Sequence, residues 1–221
     1  MLYPITCHNL DTLVGGGFPT RAISHIFGEP GSGKTTLVIQ LAVNVIRREK
    51  RVIFVAADQF PGERFAQIAG SDVGSIGQRL LVFEVKSFDQ QRATLRNIKR
   101  IAKENVGLVV LDAATTHYRL EQSKNTESAL QHALVNQLLL LLGLAKKFDL
   151  SVVVTNQVYA DIDTGEALPV AGYLIDNLSK VVVQFTKTDG GRRCAIIKKH
   201  PTQLRDAHTC FKITGDGLAD A

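Results

Sequence analysis

The chain has 221 residues, 45% of them hydrophobic and 21% charged, with a formal net charge of +5. That balance excludes a disordered or low-complexity chain, and the length suits one α/β domain with a substantial core over residues 1–221. The mild positive charge is compatible with nucleic acid but does not require it, since a nucleotide enzyme can be equally basic.

Met1-Leu2-Tyr3-Pro4 lacks the basic-then-apolar order of an export signal. The richest apolar run, residues 138–142, has helical flanks, which suits a buried helix and predicts no membrane partner. Cys7, Cys194 and Cys210 are odd in number and far apart. They predict neither a disulfide framework nor a paired zinc pattern, and a reducing cytoplasm fits them best.

In chain order, residues 1–21 read as a lead-in, with Gly15-Gly16-Gly17 and Pro19 marking a loop. Residues 22–27 predict a strand that runs into Gly28-Glu29-Pro30-Gly31-Ser32-Gly33-Lys34-Thr35, with Thr36 next. A Gly, four free positions and Gly-Lys-Thr make a phosphate loop, whose backbone N–H groups cradle a polyphosphate. Lys34 would place a cation on the β- and γ-phosphates, and the Thr35 hydroxyl would ligate Mg²⁺. Leu37, Val38, Leu41, Ala42, Val45 and Ile46 recur at helical spacing, so a helix starts at the loop and turns its positive end to the anion.

A second strand is predicted over residues 52–57, with Asp58 at its C-terminal end, where open α/β sheets place ligands. Glu63-Arg64-Phe65 opens a short helix, and residues 80–85 form a third strand. Ser87 with Gln90 resembles a capping box, opening a helix to about Glu104 with Arg92, Arg96, Lys99, Arg100 and Lys103 on one face. That face reads as a solvated surface, or as a contact for an acidic partner or DNA. Residues 108–112, Leu-Val-Val-Leu-Asp, read as the second phosphate-loop motif, with Asp112 holding the Mg²⁺ hydration shell from the strand beside the loop.

A long amphipathic helix is predicted from about 125 to 148, and a strand from 151 to 155 that ends at Asn156-Gln157 on the ligand side. Residues 161–172 read as a mobile loop. Strands at 181–185 and 193–198 flank Asp189-Gly190-Gly191, a hairpin signal, and 209–214 is the last strand.

Four segments together resemble the archaeal and eukaryotic strand-exchange recombinases. They are Asn9-Leu10-Asp11 with the phosphate loop, residues 108–119 (LVVLDAATTHYR), residues 152–158, and the ending ITGDGLADA over 213–221. The resemblance covers nearly the whole chain in order. It implies a RecA-like P-loop NTPase core: a mostly parallel central sheet flanked by helices, with a C-terminal antiparallel extension. It also implies ATP with Mg²⁺ as the bound group. In the family, an acid after the second strand polarises the attacking water; here that position is Asp58, where the family usually has Glu. Asp is one methylene shorter, so slow hydrolysis is expected. Gln157 takes the place of the residue that senses the γ-phosphate and passes the signal to the adjoining DNA-binding loop. That loop is shorter here and carries Asp161, Asp163 and Glu166 without Lys or Arg, which weakens phosphate binding. Arg192, Arg193, Lys198, Lys199 and Arg205 are the better DNA-binding candidates. His200-Pro201 would cap a neighbouring subunit's nucleotide if copies of the chain stack as a homo-oligomer.

The chain starts at the ATPase core, without the N-terminal helical domain and linker of full-length recombinases. The resemblance therefore implies an accessory role in recombination and repair: weak ATPase activity, binding of single-stranded or branched DNA, and partners in the recombinase RadA and the Holliday-junction resolvase Hjc. Two other readings remain open, an active DNA-stimulated recombinase and a circadian-type signalling ATPase that binds proteins and not DNA.

Overall fold

The computed structural model describes residues 1–103, 105–122, 126–160, 167–188 and 191–221. The lead-in is not bare loop. It folds as β1 (Leu2–Tyr3), α1 (His8–Leu13) and β2 (Phe18–Pro19), and β1 pairs antiparallel with β2. Asp11 secures the entry to α1 by accepting from the Ile5 and Thr6 N–H groups at 2.7 and 2.9 Å. The phosphate-loop strand is β3 (Ala22–Gly28), followed by α2 (Lys34–Arg47). Next come β4 (Arg51–Ala56), α3 (Gly62–Ala69), α4 (Val73–Gly77) and β5 (Leu80–Glu84).

Helix α5 spans Phe88–Ile101. Its N-terminus is capped as its sequence predicts: Ser87 Oγ accepts from the Gln90 N–H at 3.1 Å. The reciprocal bond goes one residue further back, from the Lys86 N–H to Gln90 Oε1 at 2.8 Å. The helix ends before the expected Glu104, which lies outside the described residues. Strand β6 (Val106–Asp112) and the short α6 (Thr116–Glu121) lead to α7 (Glu127–Phe148), then β7 (Ser151–Asn156). The expected start of α7 near Asn125 also lies outside the described residues.

The predicted mobile loop at 161–172 is not all loop: after β8 (Val158–Ala160), residues 167–169 form β9 (Ala167–Pro169) and α8 (Gly172–Leu178) starts at its last position. Strands β8 and β9 pair antiparallel, while Asp161, Asp163 and Glu166 lie outside the described residues. The chain closes with β10 (Ser179–Lys187), β11 (Arg193–Lys199), β12 (His208–Thr214) and β13 (Gly217–Asp220). Lys187 pairs with Arg193, so the expected hairpin is present, although its Asp189-Gly190 tip is outside the described residues.

Among the described residues nine strands form one sheet, in the order β13-β12-β11-β10-β3-β7-β6-β4-β5. The stretch from β10 to β5 is parallel, and β10 to β13 is an antiparallel extension. This is the RecA-like arrangement. Period-two alternation divides it into two cores. Val52, Phe54, Leu108 and Val110 face α2, α3 and α4; Ile53, Val55, Val109 and Leu111 face α5, α7 and α8. Strands buried on both faces read as unbroken apolar runs, which is why β4, β6 and β7 stand out in the sequence.

Helix α7 is long and apolar enough to cross a membrane by length and composition, beyond what the apolar run at 138–142 suggests. Its Leu130, Leu134, Leu138 and Leu141 are buried in the second core, the position of a core helix. Gln40 of α2 ties both ends of the chain together, donating to the Ile5 carbonyl at 3.0 Å and accepting from the Leu218 N–H at 2.6 Å.

Two expectations need correction. Cys194 and Cys210 are not far apart: antiparallel pairing of β11 with β12 sets them opposite each other, and they form a disulfide. Sequence distance cannot show this, because strand register brings them together. Also, β6 is not beside the loop strand. Strand β7 stands between β3 and β6, so Asp112 approaches the loop from two strands away.

Candidate functional site

The site lies at the C-terminal ends of the parallel strands, where the loops after β3, β4, β6 and β7 converge. Gly28 ends β3 opposite Phe185 of β10. A Cβ there would collide with the Phe185 carbonyl oxygen, so only glycine lets the loop leave the sheet at this point. Gly33 has φ 103° and sits against Phe211 and Ile213 of β12. From it α2 begins at Lys34, with its first N–H groups turned towards the loop.

Lys34 is buried, and its ammonium donates to the Gly28 and Glu29 carbonyls, both at 2.8 Å, with Ser32 Oγ at 3.5 Å. Burial pulls its pKa down to about 8; the nearby Asp112 carboxylate works against that drop, and Lys187 adds to it. A desolvated cation of this kind gains from an anion brought to it. Thr35 Oγ1 donates to Asp112 Oδ2 at 3.0 Å, and Thr155 Oγ1 donates to Asp112 Oδ1. Desolvation raises the Asp112 pKa, with the two threonine hydrogen bonds and Lys34 opposing it and Asp58 reinforcing it. The peptide that follows, Asp112–Ala113, is cis.

A cavity of about 310 Å³ opens here, lined by Pro30, Gly31, Lys34, Thr35, Asp58, Asp112 and Gln157 among others. Seven predicted site positions therefore meet around one space, although they come from four separate segments of the chain. Glu29 and Gly28 take part through their carbonyls, and Ser32 through its hydroxyl. Thr36, the third residue of α2, is half-buried and does not line the cavity. Asp58 is exposed at the mouth.

These residues fit a nucleoside triphosphate with Mg²⁺. The glycine cradle, the anion-seeking lysine and the paired Thr35 hydroxyl and Asp112 carboxylate are the donor set such a group needs. Among the described residues no three His, Cys, Asp or Glu side chains cluster as a metal site, so Thr35 and Asp112 would share the ion with phosphate oxygens and water. When bound, the nucleotide would supply the transferable phosphoryl group and the metal would neutralise its charge. Lys34 would hold its charge and Thr35 and Asp112 would orient the metal, while Asp58 and Gln157 line the same cavity.

Sequence reasoning missed the structure behind Gln157. Asn156 is buried; its Nδ2 donates to the Val170 carbonyl at 2.8 Å and its Oδ1 accepts from Thr115 Oγ1. The Val170 N–H donates to the Gln157 carbonyl at 3.2 Å. The end of β7, the β8–β9 hairpin and the segment after β6 are thus joined by polar bonds. A signal existed in the amide following an apolar strand, but its partners lie more than ten positions away.

The proposed DNA-binding cations do not gather into one patch. Arg193 Nε donates to the Gly31 carbonyl at 3.4 Å, so it sits against the phosphate loop. Lys198 pairs with Asp206 at 3.0 Å, and Lys199 donates to the Asp176 carbonyl at 2.7 Å. Adjacent residues on a strand point to opposite faces, which separates Lys198 from Lys199 within β11. Lys187, unremarked in the sequence, also reaches Gly31.

The Rad51 family model matches residues 3–221. The chain is 39% identical over 214 residues to the DNA repair and recombination protein RadB of Methanococcoides burtonii, covering 96% of this chain and 95% of that one. It is 38% identical over 211 residues to RadB of Methanoculleus marisnigri, with 94% and 93% covered. Against RadB of Archaeoglobus fulgidus the identity is 33% over 221 residues, with 99% and 98% covered. A solved structure of the RadB recombinase superposes with a TM-score of 0.86 at 30% identity, over the full length of both chains. On the family match, the full-length relatives and the shared architecture, the chain belongs to the Rad51 family of DNA repair and recombination proteins.

Proposed function

We propose that the chain is one RecA-like ATPase domain over residues 1–221 that acts as a nucleotide-regulated accessory protein of homologous recombination. It binds ATP with Mg²⁺ at residues 28–36 and Asp112, turns it over slowly, and binds single-stranded or branched DNA in the cytoplasm. Its partners in this reading are RadA and Hjc. The observation that carries the nucleotide part is the convergence of Lys34, Thr35 and Asp112 on one cavity. The recombination part is supported by the RadB relatives. The dispersal of Arg193, Lys198 and Lys199 favours a modest DNA affinity over a dedicated filament groove.

The test is steady-state ATP hydrolysis with and without single-stranded DNA, beside Lys34→Ala. A slow rate that the substitution abolishes and DNA leaves unchanged supports the accessory reading. A rate that climbs severalfold with DNA moves the active-recombinase reading to the front; that reading has in its favour the solved neighbour described as a recombinase. The signalling-ATPase reading rested on the acidic loop at 161–166. The Rad51 match over nearly the whole chain favours recombination instead.

A further inference from the structure

The disulfide of the C-terminal extension takes no part in the nucleotide site, yet it stands one residue from two contacts that hold the phosphate loop. Cys194 of β11 and Cys210 of β12 are directly opposed in the antiparallel ladder. The next pair, Arg193 with Phe211, closes that ladder at the start of β11. Both of its members bear on the loop. Arg193 Nε donates to the Gly31 carbonyl at 3.4 Å. Phe211 packs against Gly33, and its ring lies 4.9 Å from that of Phe185, the residue opposite Gly28. Phe211 and Ala195 belong to the core on the α2 side of the sheet, so alternation turns the two cysteines to the other face. The disulfide therefore ties β11 to β12 from behind the residues that press on the loop.

The two sulfurs are not equally sheltered. Cys194 is 8% exposed, whereas Cys210 is half-buried, so an incoming thiolate meets Cys210 first. Lys212 is exposed and lies two positions further along β12 on the same face, where its cation attracts an anionic thiolate. In a reducing cytoplasm, the compartment of the proposed function, a disulfide is more often transient or redox-sensing than a permanent staple.

We propose that Cys194 and Cys210 form a reversible thiol–disulfide site for low-molecular-weight thiols, whose oxidation state sets how firmly the phosphate loop is held. A thiolate attacks Cys210 Sγ, the bond between the two protein sulfurs breaks, and Cys194 leaves as a thiolate that takes a proton from water. A second thiolate attacks the small-molecule sulfur of the mixed disulfide on Cys210 and releases the Cys210 thiolate, which is protonated in turn. Two small thiols have become one small disulfide, and two electrons have passed to the protein. The reverse reaction takes a small-molecule disulfide as oxidant. Without the covalent tie, the Arg193–Phe211 end of the ladder is held by strand pairing alone and opens more often, so the contacts on Gly31 and Gly33 loosen. A change in ATP affinity with oxidation state rests on the nucleotide reading above; the exchange itself does not.

The test equilibrates the full chain with glutathione and glutathione disulfide in a series of ratios, quenches with acid, unfolds, alkylates and weighs the product. The oxidised protein takes one alkyl group, on Cys7, and the reduced protein takes three. The expected result is a passage between the two within the series that reverses when the ratio is restored. Amide exchange over residues 28–34, measured without nucleotide, should quicken in the reduced protein. Calorimetric titration of ATP with Mg²⁺ should show about fivefold weaker affinity in that state, the lower end of ordinary coupling between sites. Cys194→Ser/Cys210→Ser should show the reduced behaviour in every buffer, and Cys7→Ala should keep the full response, with melting curves showing that each variant is folded. A pair that stays oxidised at every ratio is a permanent staple and overturns the proposal, as does one that stays reduced. So does a passage between states that alters neither amide exchange nor ATP affinity. Absence of ATP binding in both states, with the difference in amide exchange retained, removes the nucleotide reading and supports the coupling of the pair to the loop.

Discussion

Thr35 donates its hydroxyl hydrogen to Asp112 at 3.0 Å although 77 positions separate them in the chain. One residue belongs to the first turn of α2 and the other ends β6, with β7 lying between β6 and the loop strand. The bond places a hydroxyl and a carboxylate where a divalent ion beside a triphosphate would need them. Asp112→Asn keeps the shape but removes the charge. It is expected to weaken Mg²⁺-dependent ATP binding by about 10- to 100-fold, as loss of a group that orients a metal ligand does. Calorimetric titration of ATP with Mg²⁺ and with EDTA reads this; equal affinity in both buffers for native and substituted protein would remove Asp112 from the metal site.

Asp58 lines the same cavity from the end of β4 but is exposed at its mouth. Its short side chain makes slow hydrolysis the expected native behaviour. Asp58→Asn should lower that rate by about tenfold or more, below the usual span of about 10²–10⁴ for a well-placed base. Asp58→Glu, one methylene longer, should raise it. A rate indifferent to both substitutions would mean that the water is oriented elsewhere.

Asn156 joins three segments behind the cavity through Thr115 and Val170. Asn156→Leu leaves the Thr115 hydroxyl and the Val170 carbonyl without that partner in a buried setting. The expected cost is about 1–3 kcal/mol in unfolding free energy by urea titration. Amide exchange should also quicken at 158–160 and 167–169, the two strands that this amide anchors. An unshifted midpoint with unchanged exchange would assign the anchoring to the strand pairing alone.

Cys7 and the Cys194–Cys210 pair should be separable by their chemistry. Cys7 is 2% exposed, and burial is the main cause pushing its thiol up to about 12 from an ordinary 9.0. At pH 8 the folded protein without reductant should therefore take up iodoacetamide only slowly, and the unfolded, reduced protein should take up three equivalents. The raised value also sets a direction for stability. Below pH 9 both folded and unfolded thiols keep their protons and the contribution is complete. Between pH 9 and about 12 the unfolded thiol ionises first, so this contribution is lost as pH rises. Rapid labelling of native Cys7 at pH 8 would contradict its burial.

Local patterns in the chain determined a good deal. The phosphate loop is contiguous, and its glycines, lysine and threonine each meet a local demand of backbone or charge. Apolar runs ending in Asp58, Asp112 and Gln157 marked strands that are buried on both faces, and leucine spacing marked α7. Ser87 with Gln90 marked the start of α5, because a cap is made within one helical turn. What tertiary structure alone decided was every relationship between distant segments. Strand order put β7 between β3 and β6, and strand register set Cys194 opposite Cys210. Parallel pairing of β6 with β7 brought Thr155 to Asp112, and the return of the chain after β9 brought Val170 to Asn156. The same folding scattered Arg193, Lys198 and Lys199: a strand turns Lys198 and Lys199 to opposite faces, and Arg193 stands at the other end of β11. A motif is legible when its physical cause spans a few residues. A site assembled from strand ends becomes visible only when long-range pairing has chosen which ends are neighbours.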